Sequence, residues 1–264
     1  MDIKEIKSER VAEKYYKINH PSGLTIYVYP KEGYNSAYAI FGTRYGSINT
    51  KFSVDDGETI TVPDGIAHYL EHKLFESEDG DAFVRYAQKG ANANAYTSFE
   101  KTCYLFSCTE KFDESLEILL DFVQSPYFTA QTVAKEQGII GQEIKMYDDA
   151  PDWRVMFNIH ENMYHTHPVK IDIAGTVESI AEITAEKLYE VYNVFYNLNN
   201  MVLCVSGNVT VDKVLKTADR LLKPSEKHTI HNVFENEPYE IVKPYVEQEF
   251  TVYIHIFNGG FKEK

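Results

Sequence analysis

The stretch that decides the fold is Gly65-Ile-Ala-His68-Tyr-Leu-Glu71-His72-Lys-Leu-Phe75. Its apolar spacing, directly after a proline and Asp64, predicts a helix over residues 65–76 with Asp64 as its N-cap. Residues at i, i+3 and i+4 share one face of a helix. The two histidines and the glutamate between them are therefore expected to project together.

This trio has the composition of a metal site. Two imidazoles four residues apart can hold one zinc ion, while the carboxylate beside them stays free to act on bound water. The order H-x-x-E-H is that of the inverted zincins. The alternative is a surface helix that carries these residues by chance. The flanking side chains are apolar and would bury the trio, which favours the metal site: Ile66, Ala67, Leu70, Leu74 and Phe75.

A catalytic zinc ion needs a third protein ligand and one open position. The best source is a helix predicted over residues 129–147, in which Glu136 and Glu143 are seven residues apart. Both should face the same way, ~10.5 Å apart along the axis. A carboxylate on their otherwise apolar face is costly without a cation. We expect Glu143 beside the metal and Glu136 behind it, holding a ligand or a water; the alternative leaves both in solvent.

Other residues could compete for the third position. Asp148 and Asp149 directly follow the same predicted helix, and their neighbours Ala-Pro are typical of a helix end. His160, His165 and His167 form a second histidine cluster, but without a helical partner at metal spacing. We expect solvated or capping roles for all five.

Composition limits the function classes. The 264 residues are 44% hydrophobic and 25% charged, as in an ordinary globular protein. A net charge of −14 lacks the electrostatic footprint of a nucleic-acid or anionic-membrane binder. Three cysteines without metal spacing indicate reduced thiols, and neither a signal peptide nor a membrane span is apparent. The predicted location is cytoplasmic.

The rest of the pattern alternates paired strands with helices. Strands are predicted over residues 15–18, 24–29, 37–45, 93–98, 102–108 and 201–206. Further helices are predicted over residues 81–88, 113–124, 129–147, 153–163, 185–195 and 211–222. The fold class that follows is α+β.

The end of the sequence predicts a domain boundary. Residues 223–244 are polar and interrupted by prolines, as in a linker, and a strand pattern over residues 250–257 stops seven residues before Lys264. We expect one domain over residues 1–238, and a linker with the opening strand of a truncated second domain over residues 239–264.

Three motifs, in the same order along the chain, resemble those of the pitrilysin/insulinase family of zinc peptidases. In size the sequence is most similar to the processing-peptidase branch of that family. The three motifs are the stretch quoted above, Gly90-Ala-Asn-Ala-Asn-Ala-Tyr-Thr-Ser98, and Glu136 with Glu143. The segment over residues 200–208 also resembles a late strand and turn of that family's first domain. The resemblance implies its N-terminal metallohydrolase domain, a largely antiparallel sheet packed by helices, with one Zn²⁺ per chain.

The resemblance also implies roles for individual residues. His68, His72 and Glu143 match the family's zinc ligands, and Glu71 matches its general base. Glu136 matches an acidic residue that supports the catalytic site.

A second set of residues matches the family's substrate cleft. Asn94, Ala95 and Thr97 match a strand to which a peptide adds as an extra strand. Lys73 departs from the pattern, because the family usually has an apolar residue there. The family also has a second homologous domain that helps to close the substrate chamber, and only its opening is expected in this sequence.

The function implied is a zinc-dependent endopeptidase that hydrolyses peptides or unfolded segments through a metal-activated water. One alternative is a non-catalytic partner or scaffold subunit, although such members usually have a broken zinc motif. Another is a metal-dependent hydrolase of non-peptide substrates, which the cleft strand does not favour. The expected partners are a peptide, the missing homologous domain, and a second copy or a paralogous subunit. The 264-residue chain alone is expected to have weak or no peptidase activity.

Overall fold

The computed structural model describes residues 1–10, 12–78 and 80–235. These residues form strands β1 Asp2–Ser8, β2 Glu13–Asn19, β3 Thr25–Pro30, β4 Ala37–Thr43, β5 Lys51–Val54, β6 Ile60–Thr61, β7 Glu76–Ser77, β8 Gly80–Asp81, β9 Asn92–Thr97, β10 Thr102–Cys108, β11 Met201–Gly207 and β12 Ile230–Asn232. They also form helices α1 Ile66–Leu74, α2 Ala82–Lys89, α3 Phe112–Val123, α4 Ala130–Asp148, α5 Pro151–Met163, α6 Val177–Ala181, α7 Ala185–Phe195 and α8 Val211–Leu221.

The main sheet has seven strands in the order β1-β2-β3-β11-β4-β10-β9. All neighbours are antiparallel except β3 and β11, which run parallel. This architecture confirms the predicted α+β class with its largely antiparallel sheet. Strand β9 lies at one edge, so one side of its backbone faces away from the sheet.

One face of the sheet carries the core. Along the central strands, alternate side chains such as Phe41, Leu203 and Val205 are buried, whereas Tyr38 on the opposite face is exposed. This is the period-two pattern of a sheet with one packed face. Helices α1, α3 and α8 contact that sheet. None of the helices formed by the described residues is long and apolar enough to cross a membrane.

Rings anchor the end of α1 to the core. Phe75, which caps the helix, lies with its ring centroid 5.8 Å from that of Tyr104 on β10 and 5.0 Å from that of Phe122 on α3. Aromatic pairs at such distances add to the free energy of burial. The helix that carries the histidine motif is therefore attached to both the sheet and α3.

The start of α1 differs from the prediction. Gly65, not Asp64, is the N-cap, and the helix runs over Ile66–Leu74. Gly65 has a φ of 84°, and a Cβ atom there would lie 2.3 Å from the carbonyl oxygen of Ala174. The carbonyl of Asp64 instead accepts a hydrogen bond from Ser179 Oγ at 2.9 Å. A contact distant in sequence, invisible in the local pattern, thus sets where the helix begins.

We expect Gly65→Ala to destabilise the protein strongly. The left-handed backbone alone costs an L-residue about 1–3 kcal/mol, and the methyl group would also clash with backbone. The matched control is Gly138→Ala on α4, where a Cβ meets nothing within 4 Å. Chemical denaturation should show the control unchanged or stabilised by about 0.5–1 kcal/mol. Equal free energies of unfolding for the two variants would contradict this account.

A buried histidine joins the β2–β3 hairpin to α8. His20 Nδ1 lies 2.8 Å from Ser22 Oγ, and its Nε2 lies 3.0 Å from Asp219 Oδ1. The three residue types are those of a Ser-His-Asp triad, but the two ring nitrogens are exchanged relative to the catalytic arrangement. The serine is also buried, and its own N–H donates to the same Nδ1 at 3.1 Å. A nucleophile must be reachable by substrate, so the trio is a structural link.

The predicted domain boundary falls outside the described residues. The linker and opening strand predicted over residues 239–264, including the strand pattern over residues 250–257, lie there too, so the boundary at residue 238 stays a prediction. Within the polar segment over residues 223–244, which the sequence pattern suggested is a linker, β12 pairs with β5, with His231 opposite Ser53. This part of the chain therefore returns to the body of the domain.

Candidate metal centre

Helices α1 and α4 bring three potential metal ligands together. The Nε2 atom of His68 lies 3.7 Å from Glu143 Oε1, and the Nε2 atom of His72 lies 3.5 Å from Glu143 Oε2. One ligand atom from each side chain lies within 4.8 Å of those of the other two. Among residues 1–10, 12–78 and 80–235, this is the only such group of His, Cys, Asp and Glu side chains.

The spacing and chemistry of these donors fit zinc. Nitrogen and oxygen ligands of a tetrahedral zinc ion lie about 3.4 Å from one another. The two N–O distances at Glu143 are close to this value. The Nδ1 atom of His68 is buried and has no hydrogen-bond partner among the described residues. Three poorly exposed carboxylates, those of Glu71, Glu136 and Glu143, surround the imidazoles, and such a cluster favours a bound cation.

The two histidines differ in their surroundings. Burial, together with the neighbouring His72, lowers the pKa of His68 to about 4, which favours the neutral imidazole that binds metal. Burial opposes the charging of His72 too. The hydrogen bond to Glu136 and the nearby carboxylates outweigh that effect and raise the pKa of His72.

Glu136 contacts His72, one of the three potential ligands, and also forms part of the cleft wall. Its Oε1 atom lies 3.1 Å from Nδ1 of His72, on the opposite side of the ring from Glu143. Burial raises the pKa of Glu136, but the interaction with His72 overcomes it and leaves the pKa lowered. An acidic partner on the far nitrogen fixes the tautomer and orientation of a metal-binding histidine. The geometry matches the predicted position of Glu136 behind the site.

Glu71 lies beside the three donors and belongs to no ion pair with them. Its carboxylate Oε2 accepts a hydrogen bond of 3.0 Å from the hydroxyl of Thr97 on β9. Burial raises the pKa of Glu71, although His72 and Thr97 counteract it. A raised pKa makes a carboxylate a better proton acceptor, as a general base requires.

Contacts between α1 and α4 set the register of the site. A Thr129–Thr132 capping box starts α4. Near this start, the Tyr69 hydroxyl of α1 donates to the carbonyl of Val133. Ile140, between the two glutamates, is fully buried. Ile139, the other isoleucine between them, is 49% exposed, so the apolar face predicted for this helix is buried only in part. Glu136 and Glu143 lie on the side of the helix that meets the histidines.

The three donors open onto a cleft of about 740 Å³. Its walls include the predicted substrate-strand residues Asn94, Ala95 and Thr97. The Asn94 side chain accepts a hydrogen bond of 2.9 Å from the N–H of Ala95. Thr97 faces the site itself, since its hydroxyl contacts Glu71. The structure thus places all three on the cleft wall.

The rival ligands lie elsewhere. Asp148 ends α4 and pairs with Arg154 at 3.3 Å, and Asp149 is the C-cap of the same helix. His167 accepts a hydrogen bond of 3.1 Å from the N–H of Val169 and caps a short 3₁₀ turn. These three positions agree with the capping and solvated roles predicted from the sequence. His160 does not, because its Nδ1 atom is buried and its ring packs on those of Phe99 and Phe157, with centroids 5.4 and 5.8 Å away.

Two features of the site were not predicted. The hydroxyl of Tyr147 donates to Glu143 Oε1 at 2.5 Å. The spacing i, i+4 on one helix could have indicated this contact. Lys73 is fully buried and pairs with Glu76 one turn later. A buried cation needs such a partner, so this pair explains how the helix tolerates the departure noted at Lys73.

Two family profiles match the sequence. The one described as Insulinase (Peptidase family M16) matches residues 54–177, which hold every residue of the candidate site. The one described as Peptidase M16 inactive domain matches residues 182–258. Together these matches cover most of the chain.

Individual relatives and solved structures agree with the profiles. A Bacillus subtilis protein named as an uncharacterized zinc protease, YmfH, is 55% identical over 214 residues, 81% of this chain and 50% of the relative. The crystal structure of an M16-like peptidase from Alicyclobacillus acidocaldarius is 39% identical, with a TM-score of 0.82 over 90% of this chain and 54% of that one. Pitrilysin, 18% identical with a TM-score of 0.69 over 83% of this chain and 24% of its own, shares the fold.

The chain spans about half the length of the first two of these proteins. Its sequence matches, its sheet topology and the helices that carry the His-His-Glu cluster all lead to the same assignment. The chain belongs to the M16 (insulinase/pitrilysin) family of peptidases.

Proposed function

We propose that this chain is the metal-binding part of a zinc-dependent endopeptidase that hydrolyses peptides or unfolded segments. The observation that carries the proposal is the convergence of His68, His72 and Glu143 beside Glu71, at the wall of an open cleft. Because the chain spans about half of its relatives, the activity of the whole protein is part of the proposal.

His68, His72 and Glu143 would hold the zinc ion, and Glu136 would orient His72. When bound, zinc supplies a Lewis acid that polarises a carbonyl and lowers the pKa of water. Two neutral imidazoles and one carboxylate leave such a centre at net +1. One of the two positive charges of the zinc ion would thus stay unneutralised by the protein ligands, which would keep its Lewis acidity high.

Glu71 is the residue we assign to proton transfer. Thr97 engages its Oε2 atom, so the proton would be held and moved at Oε1. Burial raises the pKa of this carboxyl, which suits a group that takes up a proton and then delivers it to the leaving amine.

Strand β9 is the surface we assign to the peptide. Within the described residues it pairs with β10, and its other edge is not paired in the seven-stranded sheet. An extended peptide can add to such an edge through main-chain hydrogen bonds. Asn94 and Ala95 lie on the cleft wall there, and Thr97 links the strand to Glu71. The peptide bond and the proton acceptor would thus be brought to the same place.

The alternative function is a non-catalytic partner subunit of a peptidase-like assembly. The match to a profile described as an inactive domain favours it in part, but that match covers residues 182–258. The candidate site lies before those residues and keeps all its donors. A cytoplasmic location, and pairing with a second copy or a paralogous subunit, stay predictions.

Metal analysis combined with digestion of unstructured peptides tests the proposal. We expect one zinc ion per chain. We also expect a longer version that continues past residue 264 to cleave the peptides. A chelator should abolish that cleavage, and added zinc should restore it. The present chain should bind zinc equally but cleave weakly, because it spans about half of the relatives' length. Zinc binding without cleavage by either version would favour the partner role. Failure to bind zinc would overturn the site.

A further inference from the structure

Tyr147 lies one helical turn after Glu143 on α4 and donates its hydroxyl hydrogen bond to Oε1 of that glutamate at 2.5 Å. The same carboxylate faces two imidazoles, with Oε1 toward His68 and Oε2 toward His72. A glutamate side chain has three rotatable bonds, so its carboxylate can adopt several orientations unless a contact holds one of its oxygen atoms. The phenol supplies that restraint.

Tyr147 is itself held by a chain of contacts. Its ring stacks on that of Trp153 of α5, with centroids 4.6 Å apart and planes 16° from parallel. The indole Nε1 of Trp153 donates to Asp172 Oδ2 at 2.5 Å. Asp172 in turn accepts, through Oδ1, a hydrogen bond of 3.0 Å from the N–H of Ala174. The connection therefore runs from α4 through α5 to the loop before α6.

That loop also meets the start of α1. The carbonyl oxygen of Ala174 lies against Gly65, directly before the helix that carries His68 and His72. Ser179, just beyond the loop, donates to the carbonyl of Asp64. One loop thus contacts the histidine helix directly and the glutamate ligand through two aromatic rings. Tyr147 and Trp153 line the cleft and are only partly buried, so these two rings lie at the site and not in the core.

We propose that Tyr147 is a positioning residue that fixes the rotation of the Glu143 carboxylate toward the two histidines, with Trp153 and Asp172 holding the phenol in place. This inference rests on the proposed zinc site. Groups that orient a metal ligand typically change metal affinity by about 10–100-fold when removed. The restraint acts before the metal arrives, so its loss should appear in the affinity rather than in the stoichiometry.

The test is Tyr147→Phe, which keeps the ring on Trp153 and removes only the hydroxyl. Zinc affinity of the chain, measured by competition with a chromophoric chelator, should fall by about 10-fold or more. The matched control is Tyr34→Phe at an exposed loop position, which should bind zinc as the wild type does. Thermal unfolding of the metal-free variants should be similar to that of the metal-free wild type.

A double-mutant cycle distinguishes positioning from a general structural role. In a Glu143→Ala background, loss of the hydroxyl should change zinc affinity by less than about 2-fold, because the group it orients is gone. An equal loss in both backgrounds, or no loss in the wild-type background, would overturn the inference. If the wild-type chain failed to bind zinc, the proposed function itself would fail. If Glu143→Ala weakened binding but Tyr147→Phe did not, only the role of Tyr147 would be wrong.

Discussion

Replacing Glu71 by glutamine is expected to reduce peptide hydrolysis by about 10²–10⁴-fold while leaving zinc binding intact. Glutamine has nearly the same shape and can still accept the hydrogen bond that Thr97 donates. It cannot take up a proton at physiological pH. The variant therefore removes the proposed proton acceptor without removing a metal ligand or a packing contact.

The experiment needs zinc content and cleavage rate from the same preparation. Glu190→Gln, the same substitution at an exposed position of α7, is the matched control and should retain both. If Glu71→Gln cleaved peptides at the wild-type rate, the base would have to be another group. If it lost zinc instead, Glu71 would be a ligand and the assignment of Glu143 would need revision.

Local patterns predicted the central elements of the fold well. The bounds of β10 and α7 agree with the predicted 102–108 and 185–195, because strong apolar periodicity and a Thr184 cap mark them in the sequence. Strand β1 was missed, since five of its seven residues are charged or polar and nearly all are exposed. Charged side chains are what an edge strand carries to avoid unwanted pairing, so it does not look like a strand. Its pairing with β2 makes it one.

In the candidate site too, local spacing predicted some features and could not predict others. The i, i+3, i+4 spacing placed His68, Glu71 and His72 on one helix face, and the seven-residue spacing placed Glu136 and Glu143 on one face of α4. The packing of α1 on α4 decides which glutamate contacts which imidazole nitrogen, and this packing is tertiary structure that local spacing does not encode. For the same reason, the hydrogen bond that Thr97 donates to Glu71 could not be derived from sequence spacing. It exists because β9 passes alongside α1.

Replacing His68 by alanine should abolish high-affinity zinc binding. A direct ligand is lost, so the fall should exceed the roughly 10–100-fold typical of a supporting group. In the metal-free protein His68 is expected to be neutral, because burial and His72 hold its pKa at about 4. The substitution then removes no buried charge, and the metal-free fold should lose only the packing of one ring.

Zinc-dependent thermal unfolding separates these two effects. A ligand that binds the folded state at 100 times its Kd stabilises it by about 2.7 kcal/mol, so the wild type should unfold at a clearly higher temperature with zinc. His68→Ala should show almost no shift, whereas His231→Ala on β12, outside the site, should show the full one. A full shift in His68→Ala would mean that zinc is held elsewhere. Because each protein is compared with its own metal-free form, a fold weakened by the substitution cannot imitate the loss of a ligand.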